Sequence, residues 1–494
     1  MWLLLAGTAG LRADVNLPAL FSDGVVLQQG KPVPVWGWAD EGEKVTVEFR
    51  GHKVSATAKD GKWMVKLPRL KAGGPDILKV AGQNTIELKD VLVGEVWVAS
   101  GQSNMEWPLR LTFEPAKAIA SSANPSIRLF TVPKLKADKP VEDVKASWKE
   151  CGPHTVTNFS AVAYFFGRDL QKALGVPVGL IHTSWGGSPA EVWISQDVLE
   201  ADPDYKQAIL DGYAESLKKY ETALAQFEAE QAELKKQGKT SDKKPPQKPF
   251  WKPTELYNGM IAPLLPFAIQ GAIWYQGESN AGRAQQYRTL FPDMIRNWRR
   301  DWHQGDFTFL EAQLAPFTKI LDQPAESNWA ELREAQLLAT KALPKVGMAV
   351  ITDVGEENDI HPRKKEPVGA RLALAARRIA YGEKRLVHSG PTYKKMKAAG
   401  GKIILSFDNV GGGLEARGGA LKGFAIAGED KKFVWAKAEI DGDKVVVSCP
   451  EVPKPVAVRY GWANYPVVNL WNKDGLPATP FRTDDFPMTT APKK

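Results

Sequence analysis

Four times in this 494-residue chain an apolar, strand-like run stops abruptly at a cluster of small and polar residues. Residues 91–99 end at Ser100-Gly101-Gln102-Ser103-Asn104-Met105, and residues 176–181 end at His182-Thr183-Ser184-Trp185-Gly186-Gly187-Ser188. Residues 268–275 end at Gln276-Gly277-Glu278-Ser279-Asn280, and Val350-Ile351 runs through Thr352 and Asp353 into an acidic loop holding His361. Runs of this kind fit buried strands, and the stretches between them, such as 166–174 and 368–380, carry helical spacing. Strands alternating with helices predict a parallel sheet covered on both faces. In such sheets the carboxyl ends of the strands are where ligands bind, so four polar clusters at four strand ends can converge on one site.

Each cluster carries a recognisable chemistry. Ser103 follows a strand end, where a hydroxyl can face solvent and backbone amides are free, although most serines after glycine simply form turns. Gly186 and Gly187 permit a positive φ and close backbone approach, so their amides can point at an oxyanion; an ordinary Gly-Gly turn is the plainer alternative. Gln276 and Asn280 offer side-chain amide donors, or Ser279 and Asn280 merely cap the next helix. His361 is the one histidine of six set among carboxylates, which would favour its protonated form during proton transfer.

In the order Ser, Gly, amide, Asp-x-His, these clusters resemble the SGNH (GDSL-type) hydrolase superfamily. They look most like its sialate O-acetylesterase-like carbohydrate esterase branch, whose GQSNM, SWGG, WYQGES and DIHP motifs all stand unaltered here. Residues 365–373, Val458-Arg459-Tyr460-Gly461-Trp462-Ala463 and Asn469-Leu470-Trp471-Asn472 also fit, and the resemblance runs from about residue 17 to 485. It implies a three-layer α/β/α catalytic domain and hydrolysis of acetyl esters on sugars through an acyl-enzyme. Ser103 is then the nucleophile, His361 the general base and Asp359 the acid that orients it. The commoner superfamily spacing would put the acid at Asn358, which cannot supply charge; Asp353, Glu356 and Glu357 are substitutes. The resemblance assigns the oxyanion donors to the amides of Ser103 and Gly187 and to Gln276, with Asn280 second. Gln102, Asn104, Trp185, Glu278 and Asn280 are the expected substrate contacts. Trp107, Trp193 and Trp274 also lie beside the motifs and could face a sugar ring, though most tryptophans are core residues.

Around the catalytic region (91–390) the pattern turns to short alternating β runs, giving an N-terminal β-sandwich-like module (14–90) and a C-terminal β-rich module (391–494). Residues 1–13 read as the remnant of a secretory signal peptide, which points to a secreted or periplasmic protein. An insertion at about 203–250 carries Leu210, Tyr213, Leu217, Tyr220, Leu224, Phe227 and Leu234 in a heptad-like seam. That helix is expected to pack on its own domain, with a dimer contact through 203–236 or a lid edge as the alternatives. The formal charge of +8 is largely local, because seven lysines fall between Lys235 and Lys252. No aromatic-basic interleaving accompanies them, so a solvated loop is expected and nucleic acid is not. No run reaches membrane length, and Cys151 and Cys449 are expected to be unpaired. With no His-x-x-x-His pair and isolated cysteines, no metal or other cofactor is expected. An acetylated carbohydrate is the expected substrate. A xylan-type deacetylase and a non-catalytic carbohydrate-binding protein are the competing readings, and intact Ser103 and His361 argue against the second.

Overall fold

The structure is a computed structural model that describes residues 14–492, so the signal-peptide reading of residues 1–13 lies outside the described residues. At its centre is a sheet whose strands run in the order Val346–Ala349, Thr308–Ala312, Gly271–Tyr275, Thr85–Gly101, Val178–Ser184, Asn124–Thr131 and Lys149–Cys151. The first six are mutually parallel and only Lys149–Cys151 is antiparallel. Parallel strands need crossovers, and their helices cover both faces. Ala161–Leu174 and Glu366–Ile379 pack together on one face, over a core that includes Phe166, Leu180 and Leu372. Ala284–Trp302 and Asn328–Ala342 cover the other, where Phe291, Trp298 and Leu332 join a core continuous with the N-terminal module. The expected three-layer α/β/α architecture is observed.

Sheet register brings the motifs together. Gly101, at the end of the longest strand, pairs with Ser184 on one side and Tyr275 on the other. Three of the four polar clusters therefore begin at one level of the sheet. Gly101 has φ +137°, and a Cβ placed there would lie 2.2 Å from the Tyr275 carbonyl oxygen. Only glycine lets the chain turn out of the sheet at this point.

The strand Thr85–Gly101 runs across the expected boundary at residue 90. Its first half pairs antiparallel with Gly73–Ala81 of the N-terminal module, and its second half is the central strand of the catalytic sheet. The N-terminal module is thus built onto the catalytic sheet by a continuous strand. The C-terminal module has two four-stranded antiparallel arrays around Leu405, Val445, Ile426 and Tyr460. The neighbouring strands Val434–Trp435 and Lys437–Asp441 join different sheets. Buried Arg333 fastens this module to the catalytic unit, donating to the carbonyls of Leu314, Ala463 and Asn464 at 2.7, 2.7 and 2.9 Å.

The insertion forms a helix, Gly212–Lys236, preceded by a π turn at Lys206–Asp211. All seven seam residues are half-buried, and none of the helix's own residues is fully buried. The principal packing of the helix is on the π turn, and segment 238–250 folds back towards it, with Lys239 N bonding Leu234 O at 2.9 Å and Lys243 reaching Glu230 at 2.5 Å. The helix, expected to pack on its own domain, covers its seam only in part, through the π turn and the return segment. Cys151 and Cys449 are both unpaired; burial pushes the Cys151 thiol up to about 12. No helix among the described residues is long and apolar enough to cross a membrane.

Candidate active site

Ser103 opens a one-turn helix, Ser103–Glu106, directly after the sheet's central strand. Ser160 braces this turn: its Oγ donates to Met105 O at 2.6 Å and accepts from Ala163 N, capping the helix Ala161–Leu174. Ser103 Oγ lies 2.8 Å from His361 Nε2. Asp359 Oδ1 is 3.4 Å from His361 Nδ1 and accepts the His361 backbone N–H at 2.8 Å. The imidazole contact is longer than a well-formed hydrogen bond, and 46% of the Asp359 side chain is exposed. The other acids of this loop have partners of their own. Arg371 holds Asp353 through both terminal nitrogens at 2.6 and 2.8 Å. Glu356 accepts Arg363 N at 3.0 Å, and Glu357 accepts Ile320 N at 2.9 Å. Asp359 alone of the four reaches the imidazole.

The environment of His361 differs from the sequence reading in sign. Its carboxylate neighbours Asp359 and Glu106 do raise its proton affinity, but burial and the charge of Lys365 outweigh them and hold it below the usual histidine value. Trp107 stacks on the ring at 4.9 Å with an interplanar angle of 17°, which excludes water from one face and occupies the indole face proposed for a sugar. An imidazole kept neutral is a base ready to accept the serine proton.

The second block closes over the nucleophile. A Cβ on Gly186 would sit 3.2 Å from Ser103 Cβ, and the Gly186 amide donates to Glu106 Oε2 at 2.6 Å. Gly187 takes φ +75°, and among the described residues neither its amide nor that of Ser103 has a protein acceptor. Those two N–H groups are the free donors beside the nucleophile.

Several expected contacts prove to be internal braces. Gln276 is fully buried, and its amide hydrogens go to Asn280 Oδ1 at 2.6 Å and Ser188 O at 3.3 Å while Tyr287 donates to its oxygen, so it is not an oxyanion donor. Asn280, 1% exposed, accepts from Ala190 N and donates to Glu191, locking the second block to the third. Neither the oxyanion role nor the substrate role suits it. Gln102 is buried too, its Oε1 facing Gly277 N and Ser279 N at 3.4 and 3.3 Å. Asn104 is fully buried: it donates to Glu278 Oε1 at 2.6 Å and Ile360 O at 3.0 Å and accepts from Lys365. Glu278 turns its carboxylate inward, with Oε2 lacking a partner, and burial raises its pKa. These five residues tie the motif blocks together beneath the site. Trp193 and Trp274 are core residues.

Trp185 remains at the rim, half-buried. Lys134 lies 5.4 Å from its ring centre and Trp251 packs edge-on at 5.6 Å. Phe250 adds a further aromatic face, and Lys136 sits 3.8 Å from the Phe250 ring centre and 4.5 Å from that of Trp251. The return from the insertion thus ends against the second block. Sequence reasoning missed this wall, and also Glu106 and Lys365. Lys365 is fully buried, its pKa brought down to about 7 by burial against the opposing pull of Glu278, Asp359 and Glu356. A lysine four residues past the histidine gives no periodic signal of burial; only the folded loop shows it.

Residues 247–378 match the family model described as carbohydrate esterase, sialic acid-specific acetylesterase. The sialate O-acetylesterase of Mus musculus is 30% identical, with 94% of this chain and 93% of that protein aligned. The Homo sapiens sialate O-acetylesterase is 28% identical over 93% of this chain and 90% of its own length. Among solved structures, a carbohydrate acetylesterase from Xanthomonas citri superposes with a TM-score of 0.83 at 42% identity, covering 96% of this chain and 100% of its own. With likeness of this kind over nearly its whole length and the motif residues gathered at one site, the chain belongs to the sialate O-acetylesterase family of carbohydrate esterases.

Proposed function

We propose that this carbohydrate O-acetylesterase works through a Ser103–His361–Asp359 acyl-enzyme mechanism on acetylated sugars, with no cofactor taking part. The 2.8 Å contact between Ser103 Oγ and His361 Nε2 carries the reading, because a serine hydroxyl needs an adjacent base to act as a nucleophile near neutral pH. In the first half-reaction Ser103 Oγ attacks the acetyl carbonyl carbon and its proton passes to His361 Nε2. The carbonyl oxygen becomes an oxyanion facing the Ser103 and Gly187 amides, where each such donor is worth ~3 kcal/mol of barrier. Collapse breaks the ester C–O bond, and His361 returns the proton to the departing sugar alkoxide. In the second half-reaction water attacks the acetyl-serine, His361 again takes the proton, and acetate leaves as Ser103 is restored.

Asp359 stabilises the imidazolium and orients the ring from the loop that also carries it. The aromatic rim at Trp185, Trp251 and Phe250 supports a sugar as the alcohol half of the ester. The apolar stretch at residues 1–13 supports export as the protein's route. Acetate release from a panel of acetylated sialic acids, xylans and mannans tests the function. Release from one or more of them is expected, and no release from any, with Ser103 intact, would sink the reading.

A further inference from the structure

A second place on the molecule has the build of a carbohydrate site. In the N-terminal module the antiparallel ribbon Val33–Trp38 and Lys62–Leu67 sets Trp36 opposite Met64 and Trp38 opposite Lys62. Alternation along a strand sends successive side chains to opposite faces, so Trp36, Trp38, Met64 and Lys62 share one face. The other face supplies Val35 and Val65 to the buried core. A ribbon that is apolar on both faces has a use for the second. Trp36 meets Phe21 and Phe267 at 4.8 and 6.4 Å, sealing the module to the catalytic unit. Trp38 packs against no other aromatic ring among the described residues, and Met64 is 43% exposed.

These side chains wall a cleft of about 1010 Å³ between the N-terminal module and the catalytic unit. Its far wall includes Asp197, Tyr257, Arg300 and His303. Arg300 and His303 lie at the C-terminal end of the helix Ala284–Trp302, whose other end follows the third motif block. A helix of that length spans ~28 Å, so the Arg300–His303 wall of the cleft lies far from the third motif block, while the edge at Asp138, paired with Lys252, lies towards the Trp251 rim.

Charge decides the ligand class. Lys62 pairs with Glu142, and Arg300 with Asp197 at 2.5 Å; Glu142 also accepts Trp38 Nε1 at 3.3 Å. Each ion pair offsets its own charge, and the other charged groups of the lining are Lys139 against the carboxylates of Asp138, Glu200 and Asp301, so the cleft holds polar groups for hydroxyls and no excess of cations for a carboxylate or phosphate. An aromatic and a thioether face beside neutralised hydrogen-bonding pairs matches a sugar ring, which is apolar on its faces and polar around its edge. We propose that this cleft is a non-catalytic binding site for a neutral polysaccharide chain, through which the enzyme holds polymeric substrate at a distance from Ser103. The proposal rests on the carbohydrate reading of the active site for its purpose, and on the cleft alone for its chemistry.

Affinity electrophoresis of the full chain in gels containing deacetylated arabinoxylan or soluble mixed-linkage β-glucan tests it without catalysis. Wild-type protein should be retarded by at least one polymer, and Trp38→Ala and Met64→Lys should each weaken retardation about tenfold. Both variants should keep wild-type kcat/KM for 4-nitrophenyl acetate, which also shows that they fold. Ser103→Ala should be retarded as wild type is. The site is overturned by absence of retardation in both gels, or by retardation that the folded Met64→Lys variant leaves unchanged. Retardation that persists while no acetylated glycan is deacetylated would sink the catalytic reading and leave the cleft standing.

Discussion

Asp359→Asn separates the charge of the acid from its role in shaping the loop. The asparagine amide oxygen can still accept the His361 backbone N–H that Asp359 Oδ1 accepts at 2.8 Å, so the loop should keep its form. What disappears is a unit negative charge 3.4 Å from Nδ1. That charge is worth about 1.2 kcal/mol in a medium as polar as water and about 2.4 kcal/mol at half that dielectric constant. With 46% of the Asp359 side chain exposed, screening keeps the value in this range. The loss in kcat/KM for 4-nitrophenyl acetate should be roughly 8- to 60-fold, far short of the ~10⁴-fold cost of neutralising a buried triad acid. The pH profile gives an independent sign. Asp359 raises the proton affinity of His361, so without its charge the imidazole stays neutral to lower pH and the acid limb moves down. A 10⁴-fold loss would mean that the charge is sequestered from water, and an unchanged rate and acid limb would mean that His361 works without an acid; either refutes the reasoning.

Three further substitutions probe the surroundings. Lys365→Met removes the cation that lowers the proton affinity of His361, so the acid limb should move to higher pH, opposite to Asp359→Asn, with kcat down about tenfold as Asn104 loses its donor. Gly186→Ala places a Cβ 3.2 Å from Ser103 Cβ and 3.3 Å from Glu106 Oε2, so kcat should fall about tenfold while Tm measured by calorimetry barely moves. Asp353→Asn breaks the two-pronged Arg371 pair and should cost ~1–3 kcal/mol in urea unfolding while leaving the acid limb in place, since Asp353 does not face the imidazole.

The sheet and its site were legible because they are written in local pattern. Apolar runs ending at Gly101, Ser184 and Tyr275 mark three strands, and the register aligns their ends as strand-end chemistry requires. Glycine placement marked the Gly186-Gly187 turn, and the family resemblance assigned the amides of Ser103 and Gly187 to the oxyanion. What the sequence concealed depends on long-range closure. Gln102, Asn104, Gln276 and Asn280 are polar residues in a site motif, and their letters alone do not distinguish a donor aimed at substrate from one clamping two loops. Only the hydrogen bonds from Asn104 to Glu278 and from Gln276 to Asn280 settle that. The burial of Lys365, which reverses the expected shift of His361, depends on how the histidine loop closes over Trp107 and Tyr275. The module boundary was hidden for a related reason: a single strand serves two sheets, so composition changes along it while the backbone does not break.

The central claim is that Ser103, activated by His361, forms the acyl-enzyme. Labelling with a fluorophosphonate, located by mass spectrometry of the digested protein, tests it most directly. The account predicts one modified residue, Ser103, with labelling abolished in Ser103→Ala and reduced at least a hundredfold in His361→Ala. A label on any other residue, or none on Ser103 in protein that releases acetate, would contradict it.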